Sequence, residues 1–129
     1  MVIDTSALVA IILEEPEVRR FDQIIRTAPT RLVSVASVVE LTTVLTRRFK
    51  MDARPVVDRT RAEYGLAIRD VDVRQMTIAC EAMVRFGKGR HPARLNFGDC
   101  FSYALARSLD MPLLFKGEDF THTDLTPAI

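Results

Sequence analysis

Four separated stretches of this 129-residue chain each carry an acid just past a short apolar run or in the first turns of a helix. Asp4 follows Val2-Ile3, and Glu40 lies in the first turns of a helix after Leu32-Val33-Ser34-Val35. Asp99 lies in the first turn of the segment opened by Asn96, and Glu118-Asp119 follow Leu113-Leu114-Phe115 by a turn at Gly117. Singly, each has a structural explanation. Asp4 and Asn96 are good helix N-caps, Ser37-Val38-Val39-Glu40 has capping-box spacing, and Asp119 suits a turn. Jointly they imply more. Carboxylates about 5 Å apart at an effective dielectric near 20 repel by roughly 3 kcal/mol per pair, so gathering them demands a counter-charge or raised pKa values. Oxygen-only donors favour Mg²⁺ or Mn²⁺, and no His or Cys sits at zinc-ligand spacing. Such an ion with such acids suits hydrolysis of a phosphodiester by an activated water. No Ser-His-Asp set, Gly-rich phosphate loop or dinucleotide fingerprint points elsewhere.

The elements that must position these acids are legible from periodicity. Val2-Ile3 reads as a buried strand running into a helix over Ala7 to Leu13. Pro16 suits a helix start, with Val18, Phe21, Ile24 and Ile25 forming an apolar stripe to about Thr27. Leu32 to Val35 reads as a central strand, and residues 36 to 50 as the clearest helix, with Val38, Leu41, Val44, Leu45 and Phe49 on its inner face. A helix over Ala53 to Tyr64 ends at Gly65. A strand follows near Leu66-Ala67-Ile68, then a helix capped by Asp72 that runs to about Phe86. Residues 87 to 96 read as a basic loop, Phe97 to Leu109 as a helix, and Pro112 to Phe115 as a short buried strand. Strands alternating with helices, each apolar across both faces, predict a single α/β domain over residues 1–129, a three-layer α/β/α arrangement with a short, mostly parallel central sheet. Ligands of such sheets bind beyond the carboxyl ends of the strands, where the acids fall.

Composition narrows the classes. At 48% hydrophobic and 27% charged, with 5 Gly and 6 Pro, the chain is neither disordered nor low-complexity. A net charge of +1 names no partner by itself. Cys80 and Cys100, twenty positions apart, read as small buried apolar residues rather than a disulfide framework. No apolar run reaches membrane-span length and no secretory leader is visible, so a cytoplasmic protein with no membrane association is expected.

Met1-Val2-Ile3-Asp4-Thr5-Ser6-Ala7-Leu8, Glu40 after Ser34-Val35-Ala36-Ser37, Asn96-Phe97-Gly98-Asp99-Cys100 and Leu113-Leu114-Phe115-Lys116-Gly117-Glu118-Asp119-Phe120 together resemble PIN-domain nucleases. Their order and spacing are similar to the VapC toxins of toxin–antitoxin pairs over essentially the whole chain. The resemblance implies an endoribonuclease using Mg²⁺ or Mn²⁺, with Asp4 and Asp99 as principal ligands. Glu40 would be a ligand or the group that positions the attacking water, and Asp119 the fourth acid. Gly117 replaces the first acid of the commoner Asp-x-Asp-Phe ending, which leaves Glu118 as an alternative. Thr5 and Ser6 are candidates to bond Asp4 or a metal-bound water, and Asn96 to orient Asp99; capping explains them equally.

Arg85, Lys88, Arg90 and Arg94 cluster between Glu81 and Asp99 without an intervening acid, and with Lys116 they are the candidate RNA contacts. Few aromatics are available for stacking, so recognition of a structured RNA such as tRNA or rRNA by shape is expected; His91 and His122 read as surface residues. The resemblance further implies a VapB-like antitoxin as inhibitor, laid over an apolar groove to which Ile11, Ile12, Leu13 and residues 38 to 49 contribute, and a homodimer. The alternative is a non-catalytic RNA-binding module with an empty acidic pocket. An aspartyl-phosphate phosphatase is disfavoured because its acid two positions after Asp4 is here Ser6.

Overall fold

The computed structural model describes residues 1–128. Four strands, β1 (Val2–Ile3), β2 (Leu32–Ser34), β3 (Ala67–Arg69) and β4 (Leu113–Leu114), form one parallel sheet in the order β3-β2-β1-β4. Val2 is in register with Leu32 and Leu113, Ile3 with Leu114, and Val33 with Ile68. Because successive strand residues face opposite sides, Val2, Leu32 and Leu113 join one core, while Ile3, Val33 and Leu114 join the other.

Helices α1 (Thr5–Ile12), α2 (Val18–Thr27), α3 (Val35–Phe49) and α4 (Arg54–Tyr64) cover one face; α5 (Val73–Phe86) and α6 (Phe97–Leu109) cover the other. Leu8, Phe21, Ile25, Leu41 and Leu45 fill the first core; Ala82, Leu95, Leu105 and Phe115 fill the second. Each Leu, Ile or Phe side chain so withdrawn from water contributes about 1.5–3 kcal/mol. This is the expected three-layer α/β/α arrangement. The tail continues it: Ala128 N–H donates to the Leu113 carbonyl, and the Leu113 N–H to Thr126, so the outer edge of β4 is covered. No helix among the described residues is long and apolar enough to cross a membrane.

Local expectations needed correction at several places. Helix α3 begins at Val35, and its cap is Ser34, whose hydroxyl accepts from the Ala36 N–H. Ser37 is therefore inside the helix, buried against the Ser102 hydroxyl at 3.1 Å, and makes no capping box with Glu40. Val44 and Phe49 are exposed, because the inner face of α3 is formed by Leu41 and Leu45 with Val38 partly buried beside them. Cys80 is exposed on α5, whereas Cys100 is buried as expected. His91 is half-buried: its ring packs edge-on against Phe86, with centroids 5.1 Å apart, and its Nδ1 accepts from the Ala93 N–H.

Candidate active site

At the carboxyl end of β1 the chain turns directly into α1. Asp4 is 2% exposed there and caps the helix. One carboxylate oxygen, Oδ2, accepts from the Ser6 N–H at 2.9 Å and the Ser6 hydroxyl at 2.6 Å. The other, Oδ1, is buried without any partner. Since a buried charged oxygen left unpaired is costly, Asp4 caps its helix with one atom and presents the second for something else. Ser6 is held in turn from β4: the Lys116 backbone N–H donates to its hydroxyl at 3.0 Å.

Glu40 reaches the same hollow from α3. Its Oε2 accepts a short hydrogen bond, 2.6 Å, from the Thr5 hydroxyl. Burial raises the Glu40 pKa, the Thr5 bond opposes this, and the charge of Asp4 adds to the rise. Asp99 comes from the first turn of α6, held by a reciprocal capping box. The Asn96 N–H donates to Asp99 Oδ2 at 2.8 Å and the Asp99 N–H to Asn96 Oδ1 at 3.0 Å. Burial pushes the Asp99 carboxyl up to about 7. The Asn96 N–H works against that shift, and the charges of Asp4, Glu40 and Asp119 reinforce it. Asp119 opens a 3₁₀ turn, Asp119–His122, after Gly117 at φ +98 has redirected the chain. The charge of Asp119 contributes to the rise at Asp99.

The charges of Asp4, Glu40 and Asp119 thus all act on Asp99, and that of Asp4 on Glu40, and no Lys or Arg forms an ion pair with any of the four among the described residues. Nor do any three His, Cys, Asp or Glu side chains among those residues close into a ready coordination cage. An open hollow of oxygen donors, one of them buried and unpartnered, suits a small hard cation that keeps part of its water shell and takes few protein ligands directly.

Lys116, a candidate either to neutralise the fourth acid or to touch a phosphate, is engaged by two other acids. Its ammonium lies 2.6 Å from Glu15 Oε2 and 3.1 Å from Glu17 Oε2, clamping β4 to the α1–α2 junction. Arg85, Lys88, Arg90 and Arg94 are exposed around the 87–96 loop, which leads into Asn96. Ile11 is buried and Ile12 and Leu13 are half-buried, so this segment offers less groove than expected.

Some contributors were not visible in the sequence. Gly98 lies against the Glu40 carboxylate so closely that a Cβ there would overlap it. The Ser37–Ser102 hydroxyl pair sits one turn below Glu40 and Asp99 and ties α3 to α6. The small residues Gly98 and Ser102, four apart, were the available signal for that close approach. Phe97, 76% exposed with Phe101 edge-on at 5.0 Å, flanks the site. With Val39, Val44, Glu40 and Arg47 it lines a groove of about 540 Å³, so one exposed aromatic, backed by the half-buried Phe101, stands where few were expected.

Residues 1–125 match the PIN domain family. Ribonuclease VapC42 of Mycobacterium tuberculosis is 42% identical over 129 residues, 99% of this chain and 98% of that protein. The chain belongs to the PIN-domain VapC ribonucleases. VapC is the toxin class of toxin–antitoxin pairs, so this chain is an enzyme of the nuclease type. The fold agrees with solved VapC structures. The sarcin–ricin loop cleaving toxin VapC20 of M. tuberculosis superimposes with a TM-score of 0.77 at 20% identity, covering 97% of this chain and 95% of that one. VapBC2 of Rickettsia felis, bound to a promoter DNA fragment, gives 0.72 at 15% identity, covering 98% and 95%.

Proposed function

We propose that this VapC chain is a metal-dependent endoribonuclease that hydrolyses phosphodiester bonds of a structured RNA and is held inactive by a cognate VapB-like antitoxin. The observation that carries this reading is the coupling of Asp4, Glu40, Asp99 and Asp119 around the unpartnered Oδ1 of Asp4. Asp4 and Asp99, with Glu40 and Asp119, would hold Mg²⁺ or Mn²⁺, which when bound supplies positive charge to polarise the attacked phosphate and its leaving oxygen. Ser6 and the Lys116 N–H fix the Asp4 carboxylate so that Oδ1 faces the hollow. Asn96 fixes Asp99 in the same way. Glu40 keeps Oε1 free while Thr5 holds Oε2. Its raised proton affinity suits it to orient the attacking water and take up a proton from it. Arg85, Lys88, Arg90 and Arg94 would receive the RNA backbone on its approach to these acids. Support for a structured RNA comes from the sarcin–ricin loop named as the target of VapC20; support for the antitoxin comes from the VapBC complex among the fold neighbours. The apolar groove at Phe97 and Val39 is where a second copy of the chain would pack to form a homodimer.

The test is incubation with total RNA in Mn²⁺ and in EDTA, with mapping of new 5′ ends. Discrete cuts in Mn²⁺, absent in EDTA and absent for Asp4→Asn, are expected. RNA binding that is indifferent to EDTA and yields no product would instead favour a non-catalytic binding module.

A further inference from the structure

A second cationic feature lies outside the acidic hollow. Arg74, Ile78, Glu81, Ala82 and Arg85 of α5 face Tyr103 and Arg107 of α6 across a groove of about 280 Å³. Arg74 and Arg85, eleven residues apart on one helix, stand about 16 Å from each other along its axis. Arg74 and Arg107 have no ion-pair partner among the described residues. Arg85 stacks over the Phe86 ring at 4.6 Å and meets Asp124 Oδ2 only at 3.5 Å. The Tyr103 hydroxyl already occupies Asp124 Oδ1 at 2.6 Å, so Asp124 is partly spent. Glu81 is the one acid that lines the groove, and it is in no ion pair among the described residues. From the Arg85 end, Phe86 leads directly into the 87–96 loop with Lys88, Arg90 and Arg94, and that loop ends at Asn96, the cap that holds Asp99.

We propose that the α5–α6 groove is a second contact for substrate RNA, in which the guanidinium forks of Arg74, Arg85 and Arg107 hold backbone phosphates several residues from the scissile bond. Guanidinium forks match phosphate oxygens in geometry as well as charge, and the apolar floor of Ile78 and Ala82 strengthens each interaction by lowering the local dielectric. An acidic peptide would find the same charges but only Ile78 and Ala82 as apolar anchors. Arg85, Lys88, Arg90 and Arg94 follow one another along the chain that leads into Asn96 and Asp99, and such a series of exposed cations favours a nucleic acid backbone. This inference rests on the nuclease reading and extends it from the cleavage point to the path of the strand.

RNA affinity measured by anisotropy across a KCl series, in an Asp4→Asn background that cannot cut, tests it. Loss of two phosphate contacts in Arg74→Ala/Arg107→Ala lowers the slope of log K against log salt by about 1.4 to 1.8. It also weakens binding at least about tenfold at low salt, whereas Glu81→Gln tightens it and Arg59→Ala on α4 leaves it unchanged. Unchanged slope and affinity in the double variant, with its circular dichroism intact, would overturn the proposal. So would calorimetric binding of inorganic phosphate to the groove without any effect of the arginines on RNA, which would mark it as a free-anion site. Failure of the nuclease reading shows separately, as absence of Mn²⁺-dependent cleavage by the protein with Asp4 and all its arginines in place.

Discussion

Gly98 gives the Glu40 carboxylate the space it occupies: the helix that delivers Asp99 passes so close to Glu40 that any side chain at this position would overlap it. Glu40 is flexible at its far end and can swing away, so the consequence is functional. Gly98→Ala, in the first turn of α6, adds helix propensity of at most about 0.5–1 kcal/mol, the value for a helix interior, yet it displaces Glu40 from Thr5 and the hollow. Cleavage of RNA is expected to fall about a hundredfold with Tm equal or raised, as measured by single-turnover kinetics and thermal melting. Full activity would show that the position of Glu40 does not matter.

Ser6 links Asp4 to β4 through one hydroxyl, which donates to Asp4 Oδ2 and accepts from the Lys116 N–H. Ser6→Ala therefore removes one of the two hydrogen bonds on Asp4 Oδ2, leaving the backbone N–H of residue 6 as its partner, and strands a half-buried N–H at a cost of about 1–3 kcal/mol. Supporting residues of this kind typically carry a 10–100-fold effect on metal affinity or activity. Mn²⁺ titration by calorimetry should show a loss in that range, and Ser6→Thr should recover part of it.

Asp99 makes stability depend on pH. Its folded pKa, about 7, lies above the ordinary carboxylate value. The native state therefore holds its proton more tightly than the unfolded chain, and its contribution is fully present at about pH 4 and lost as pH rises through about 7. Metal-free protein should lose stability over that window, and Asp99→Asn should remove most of the loss. The discounted size is on the order of 2 kcal/mol, since Asp99 keeps some contact with solvent. Urea melts at pH 5 and pH 8 in EDTA measure it; equal pH dependence in both proteins would place the titration elsewhere. Because a proton and a cation compete for the same oxygens, apparent Mn²⁺ affinity should fall by up to tenfold per unit below about pH 7.

Phe97 and Val39, 76% and 63% exposed, are costly to leave in water and form the rim of the α3–α6 groove. With the proposed homodimer packed on this face, the protein is expected to scatter light as a dimer and Phe97→Asp as a monomer, with the circular dichroism unaltered. A dimer that persists would move the interface to another face.

Much of the architecture could be read from the chain because local rules suffice for it. Apolar runs at Val2-Ile3, Leu32-Val33 and Leu113-Leu114, separated by segments of helical period, leave a parallel sheet between two helical layers as the economical solution. Asp72 and Asn96 announced their helices because capping is decided within three residues. Even the four acids could be grouped, since parallel strands deliver their carboxyl ends to one edge. What local rules cannot supply is distance between elements remote in sequence. That Thr5 holds Glu40, that Gly98 and the Ser37–Ser102 pair let α6 approach α3, and that Lys116 spends its charge on Glu15 and Glu17 all depend on how side chains from opposite ends of the chain pack. The same holds for burial, which raises the Asp99 pKa and leaves Phe97 exposed. The sequence sets which groups are present and which edge they reach; packing alone sets their separation and their dielectric surroundings, on which their charge states depend.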